Sequence, residues 1–208
     1  MILDLHNHSL KSDDGRARVE GYCQWIRKRE LPLDGFVLTE HRQFDAESDY
    51  APLKDAFGLR ILKGSEVETE YGHVLLFGVN EDLLHAFDFA RVDLALETVL
   101  REAERCGAAA VPCHPGRRNV GLCANYGTRG PAAGVRVIEV RSGGSRAGED
   151  EAAQALAAEH GYLGVGGSDA HIVSQIGRCA TRFPRPIGDE EDLVAALREG
   201  GFEALRWE

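Results

Sequence analysis

The chain has 208 residues, 43% of them hydrophobic and 28% charged, with 34 acidic against 24 basic residues and a net charge of −10. That size and balance suit a single domain over residues 1–208 that buries a full core. The acid excess argues against nucleic acid as the main partner, because duplex binding uses a basic face.

No apolar run is long enough to span a bilayer, so no membrane partner is expected. The cysteines are Cys23, Cys106, Cys113, Cys123 and Cys179. Their odd number and lack of CxxC spacing point to neither a disulfide framework nor a zinc knuckle. With the first strand starting at Ile2, no signal peptide is expected and a reducing cytoplasm is the simplest location.

In chain order, a first strand is expected over residues 2–5, running into His6 and His8. Val19, Tyr22, Cys23 and Ile26 then share one helix face. A second strand over 36–39 leads to Glu40 and His41, and a third over 60–63 leads to Glu66. His73 opens a fourth strand over 74–79. Leu96, Val99, Leu100 and Ala103 mark another helix, with Asp93 as N-cap and Gly107 beyond its end. A fifth strand over 109–113 stops at His114. Residues 115–134 read as a loop of about twenty residues, long enough to be functional. A sixth strand over 136–140 holds Glu139 and precedes the glycine-rich RSGGSRAG. The helix Glu149–His160, ended by Gly161, leads to a seventh strand over 163–166 and then to Asp169 and His171. A last helix starts near Asp189, shows Leu193, Val194 and Leu197, and stops at Gly200.

The strands are continuous apolar runs, as expected where both faces are covered. Their alternation with helices implies βαβ units and a mostly parallel sheet. The expected fold is α/β, a distorted seven-stranded β/α (TIM-like) barrel, with an open doubly wound sheet as the alternative.

Six of the eight histidines lie at or beside strand ends. In a parallel barrel those ends open on one face, where distant residues meet. His6 and His8 are two apart and project to the same side, as do Asp169 and His171. A lone histidine at a strand end is ordinarily a surface or capping residue. Matched positions on several strands instead indicate a shared metal site. Imidazole and carboxylate together suit zinc, manganese or iron better than calcium or magnesium. His160, in the last turn of a helix, suits the helix dipole, and His85 sits in a loop-like stretch; both read as structural. Cys113 adjoins His114, but neighbouring strand residues face opposite ways, so it is expected beneath a helix.

The ordered motifs DLHNHSLKSD, LTEH, GSE, CHPGR and GGSDAH resemble those of the PHP (polymerase and histidinol phosphatase) domain, from His6 to His171. The resemblance implies a distorted seven-stranded barrel with two or three metal ions at its carboxyl face. It implies His6, His8, Glu66 and Asp169 as ligands of one metal. Glu66 would bridge to a second, held also by His114 and His73. Asp13, His41 and His171 would hold a third. The family pattern TDH is TEH here, with Glu40 in place of Asp, and Asp14 intervenes between Asp13 and Gly15, so either aspartate could face the metal. Arg117 after HPG, and the IEV segment with Glu139, match a subgroup of small phosphatases; Glu139 reads as support for the ligands rather than as one.

Stand-alone members of the family are mostly phosphoesterases. The resemblance implies small phosphate monoesters, nucleotide-like or sugar-phosphate-like, as substrates. Clustered divalent metals lower the pKa of bound water, so a metal-bridging hydroxide is the expected nucleophile. Arg117 and then Arg141 are the candidates for holding the phosphoryl charge. Arg42, Arg118 and Arg146 read as solvated surface charges. The alternatives are a metal-dependent amide or lactone hydrolase, and a metal-binding PHP module without turnover.

Overall fold

The computed structural model describes residues 1–207. Every expected strand forms: β1 (Ile2–Asn7), β2 (Gly35–His41), β3 (Arg60–Thr69), β4 (Gly72–Phe77), β5 (Ala109–Pro112), β6 (Val137–Ser142) and β7 (Leu163–Gly167). Two four-residue strands, β8 (Cys179–Arg182) and β9 (Glu203–Arg206), join them. Their sequences, CATR and EALR, have no apolar run to announce them.

The expected parallel barrel is corrected in two respects. First, the sheet is mixed. A seven-stranded sheet has the order β5-β4-β3-β2-β1-β8-β9, and β6 pairs with β7 in a separate ribbon. β1, β2 and β3 are parallel, but β4 is antiparallel to both β3 and β5. Only Glu70 and Tyr71 separate β3 from β4. So short a link makes a hairpin, which forces the antiparallel direction. Second, the sheet is not closed by hydrogen bonding. The ribbon lies between the sheet's two sides, β6 beside β5 and β7 beside β1 and β8. Among the described residues, the one backbone bridge across these seams joins Asn7 to Ala170.

The strands nevertheless enclose one interior. Leu3 and Leu5 of β1, Val37, Leu62, Leu75, Val111, Val137 and Val165 give it a side chain from each of β1 to β7. Leu193, Val194 and Leu197 pack into the same cluster, from the helix described below as α7. Alternate residues face outward: Phe36, Leu38 and Ile61 pack with Tyr22, Cys23 and Ile26, and Val74, Leu76 and Ile138 pack with Leu96, Val99 and Leu100.

The helices are α1 (Val19–Lys28), α2 (Ala51–Phe57), α3 (Glu81–Ala86), α4 (Leu96–Arg105), α5 (Leu122–Arg129), α6 (Glu149–His160) and α7 (Glu190–Glu199). The stretch expected to be a loop over 115–134 contains α5. His85 lies in α3, its Nδ1 2.7 Å from the Glu81 carbonyl. Asp93 does not cap α4. It pairs with Arg91 at 2.8 Å, and the Leu96 amide donates instead to Glu70 Oε2 at 2.8 Å. A carboxylate distant in sequence thus serves an otherwise unpaired amide at the helix start. No helix among the described residues is long and apolar enough to cross a membrane.

Candidate metal centre

β1 delivers His6 and His8 to one end of the enclosed interior, and both are fully buried. Each ring has its Nδ1 engaged away from the centre. His6 Nδ1–H donates to Glu139 Oε1 at 3.0 Å. His8 Nδ1 lies 3.2 Å from Ser12 Oγ, while that hydroxyl donates its single proton to Glu40 Oε2 at 2.6 Å. Ser12 can therefore only accept from His8. In the neutral ring this leaves the Nε2 lone pair of each histidine facing inward. His171 follows the same rule, its Nδ1–H donating to the Asp169 carbonyl at 3.0 Å.

Glu66 sits in the middle, fully buried. Its Oε2 lies 3.3 Å from His6 Nε2, 3.2 Å from His8 Nε2 and 3.0 Å from His41 Nδ1. Its Oε1 lies 2.8 Å from His73 Nδ1 and 3.1 Å from His114 Nε2. The reversal of β4 brings His73 here, because the start of that strand lies beside the carboxyl half of β3. Asp169 Oδ1 completes the inner group, 3.5 Å from both His6 Nε2 and His8 Nε2.

An outer group is formed by His8, His41 and His171. Asp14 Oδ2 is 3.1 Å from His171 Nε2, and Asp14 Oδ1 is 3.5 Å from His41 Nε2. Asp13 instead turns outward to Arg42, 2.6 Å away. Between the two aspartates, the fold brings Asp14 to the histidines.

Two backbone positions are strained here. His114 and Asp169 have φ of +32° and +51°. Non-glycine residues in this region cost of order 1–3 kcal/mol and cluster at functional sites. The turn at His114 overturns one expectation. Cys113 is not packed away beneath a helix: its Sγ donates to Glu66 Oε1 at 3.3 Å and lies 3.4 Å from His114 Nε2. Strand alternation ends at Pro112, so consecutive side chains converge on one centre. The sequence offered only the adjacency of the two residues as a signal.

Glu139 holds two parts of the site together, accepting from His6 Nδ1 and from the His114 backbone amide at 2.8 Å. Such a carboxylate–histidine pair orients metal ligands. Asp4 plays a structural part nearby, accepting from the amides of Ser168 and Gly177 at 2.8 and 2.9 Å. Burial raises its pKa to about 6.

The donor set fits divalent cations. His8 Nε2 is buried with no hydrogen-bond partner, although a carboxylate oxygen lies 3.2 Å away. Inward lone pairs opposite carboxylate oxygens repel unless a proton or a cation lies between them. Burial lowers the affinity of His8 for a proton, but Asp169 and Glu66 outweigh burial and lift its pKa to about 9. His6 is raised against burial by Glu139, Asp169 and Glu66. Burial opposes ionisation of Glu66 and Asp169, yet the surrounding imidazoles hold both well below the usual carboxylate range. His114 is lowered by burial. Three sets of donors converge: His6, His8 and Asp169; His6, Glu66, Cys113 and His114; and His8, His41 and His171.

A cavity of about 520 Å³ opens beside the cluster, lined by Asp169, His171, Gly144, Arg117, Arg118 and Arg146, among others. Arg117 Nη2 donates to Asp169 Oδ2 at 2.7 Å, so this guanidinium is anchored to the inner group. Arg141 lines a neighbouring cavity with Ser145, Arg146, Asp150 and Arg206, and Arg146 borders both cavities. Arg42 is tied to Asp13 and Glu68. His160 stays apart, between Tyr126 and Tyr162.

A family model described as PHP-associated matches residues 149–201. No curated protein matches the chain. Several solved structures share its fold. PsfC from Pseudomonas syringae PB-5123 is similar with a TM-score of 0.73 at 21% identity, over 99% of this chain and 91% of its own. A two-domain protein from Bacteroides vulgatus containing a predicted PHP-like metal-dependent phosphoesterase gives 0.66 at 20% identity, over 99% of this chain and 64% of its own. The lesion-specific endonuclease EndoQ from Pyrococcus furiosus gives 0.69 at 17% identity, over 98% of this chain and 58% of its own. The chain is thus similar to PHP-type proteins, through the family match over residues 149–201 and through a fold shared over nearly its whole length.

Proposed function

We propose that the chain is a metal-dependent phosphoesterase acting on small phosphate monoesters. One observation carries this reading: six histidines, Glu66 and Asp169 converge on one centre beside an arginine-lined cavity. His6, His8, Glu66 and Asp169 would hold one cation; Glu66, His73 and His114 a second; His41, His171 and Asp14 a third. Bound there, divalent cations supply Lewis acidity, which lowers the pKa of water and draws charge from phosphoryl oxygens.

The chain's own residues divide the remaining work. Glu139 and Ser12 keep the His6 and His8 rings in the ligating tautomer. Arg117 has one nitrogen on Asp169, and its other donors remain for a phosphoryl oxygen. Arg118 and Arg146 line the same cavity and offer positive charge to the anionic ester. As the P–O bond to the leaving alcohol breaks, negative charge spreads over the equatorial oxygens, where arginines stabilise it.

A nuclease activity is a second reading, favoured by the fold shared with the endonuclease over nearly the whole chain. The net charge of −10 weighs against it. The test is turnover by zinc-, manganese- or iron-loaded protein on phosphate monoesters, abasic duplex DNA, and amides and lactones. Release of phosphate from monoesters, lost in His8→Ala, is the expected result. DNA cleavage alone would select the nuclease. Amide or lactone turnover alone would overturn phosphoesterase activity, and metal uptake without turnover would leave a binding module.

A further inference from the structure

We propose that Cys113 is a thiolate ligand of one cation of this centre, which makes that position softer than its neighbours. The inference rests on the metal-dependent reading above and adds a donor to it. Cys113 is buried. Its Sγ stands 3.3 Å from Glu66 Oε1 and 3.4 Å from His114 Nε2, and these two atoms are 3.1 Å from each other. Donor atoms of a tetrahedral zinc site, with Zn–S and Zn–N bonds of about 2.3 and 2.0 Å, lie about 3.3–3.6 Å apart. The three donors therefore form one face of a tetrahedron almost as they stand. His73 Nδ1, 2.8 Å from the same Glu66 oxygen, lies at the edge of that face.

The chain has built this face deliberately in its backbone. The Cys113 amide donates to the His73 carbonyl at 3.1 Å, and the Glu139 carboxylate takes the His114 amide. Between these anchors the left-handed His114 turns both side chains inward. A cysteine serving only as an apolar filler would not need its sulfur beside two polar donors. Thiolate donors select zinc, ferrous iron or cobalt over magnesium and manganese. The position shared by Cys113, His114 and Glu66 is thus assigned to a thiophilic cation. The position of His6, His8 and Asp169, with nitrogen and oxygen donors alone, accepts harder ions.

Cobalt(II) titration of the metal-free full chain, followed by absorption, tests this. Bound cobalt shows visible d–d bands whatever its ligands, and a near-ultraviolet charge-transfer band only when sulfur coordinates. The expected result is that both appear in the wild type. Cys113→Ser should keep the d–d bands and lose the charge-transfer band. Visible bands without the sulfur band in the wild type would overturn the Cys113 assignment and leave the metal reading standing. A sulfur band that persists in Cys113→Ser or Cys113→Ala would assign it to another cysteine and overturn the proposal. No cobalt uptake by the wild type would overturn both. A wild-type spectrum without the sulfur band overturns the assignment whether or not a substitution unfolds the chain, and Cys113→Ala is the second variant where circular dichroism shows Cys113→Ser to be unfolded.

Discussion

Ser12 shows how much of the site depends on a residue that touches no substrate. Its hydroxyl donates to Glu40, accepts from His8 Nδ1, and accepts the His41 amide at 3.0 Å. One donor and two acceptors exhaust a hydroxyl. Glu40, one methylene longer than the aspartate of the motif its segment resembles, spans the gap to Ser12 and also takes the Ser9 amide at 3.0 Å. Ser12→Ala should free the His8 ring and weaken metal binding by roughly 10–100-fold, the usual cost of losing a partner that orients a ligand. Equilibrium metal titration checks this, and unchanged affinity would refute the orienting role. Protons compete for the same nitrogens. With His8 at about 9 and His6 raised in the same direction, the metal-free rings carry protons near neutral pH. Metal loading should therefore release protons, read by an indicator dye in weak buffer, and affinity should rise with pH up to about 9. The sign for stability is opposite. A histidine raised from 6.5 to about 9 stabilises the metal-free fold fully below pH 6.5 and loses that contribution as pH rises through about 9. The melting temperature of chelated protein should fall across this window, and less so in His8→Gln.

At the scale of elements, the strand exits position the ligands, and glycines let them approach. A Cβ on Gly167, the last residue of β7, would stand 2.5 Å from His6 Cβ and 2.7 Å from Glu139 Oε1. β7 can therefore lie against β1 only with hydrogen at this position. Gly167→Ala should cost about 1–3 kcal/mol, the usual penalty for overpacking. It should also displace the His6–Glu139 pair. Urea denaturation with a parallel metal titration measures both, and a stable variant with native affinity would contradict this packing. The β3–β4 hairpin matters equally. By reversing direction after two residues, it presents His73 beside Glu66 on the neighbouring strand, at 2.8 Å.

The whole molecule buries His6, His8, His114, Glu66, Glu139 and Asp169 in one centre, and this should couple metal to stability. Inward lone pairs and carboxylates repel when nothing lies between them, so a cation that binds only the folded chain stabilises it. At a hundredfold excess over Kd the gain is about 2.7 kcal/mol. For a domain of this size that raises Tm by about 5–10 °C. Thermal melts with zinc or manganese against chelator read the shift directly. It should vanish in Glu66→Gln, where the carboxylate central to the group is lost. A wild-type Tm indifferent to metal would remove the basis for the centre. The same scale bears on partners: with a net charge of −10, attraction for anions is confined to local features, of which the Arg117, Arg118 and Arg146 cavity is the one beside the cluster.

Amino-acid order alone determined the seven core strands, because continuous apolar runs have few other places to go. It also marked the histidines that end them, because polar residues at the edge of such runs must emerge together if the strands share a direction. Other features were decided only in three dimensions. The direction of β4, the separation of the β6–β7 ribbon and the pairing of β8 and β9 depend on partners distant along the chain. So does the start of α4, where Glu70 rather than Asp93 meets the Leu96 amide. Asp14 and not Asp13 faces His171 because a loop, without periodicity, sets its orientation. Cys113 joins the centre because one left-handed residue breaks the alternation on which strand logic rests. Local pattern specifies which residues are buried. Which donors face one another is set by backbone turns and long-range packing, and these exist only once the chain has closed around its core.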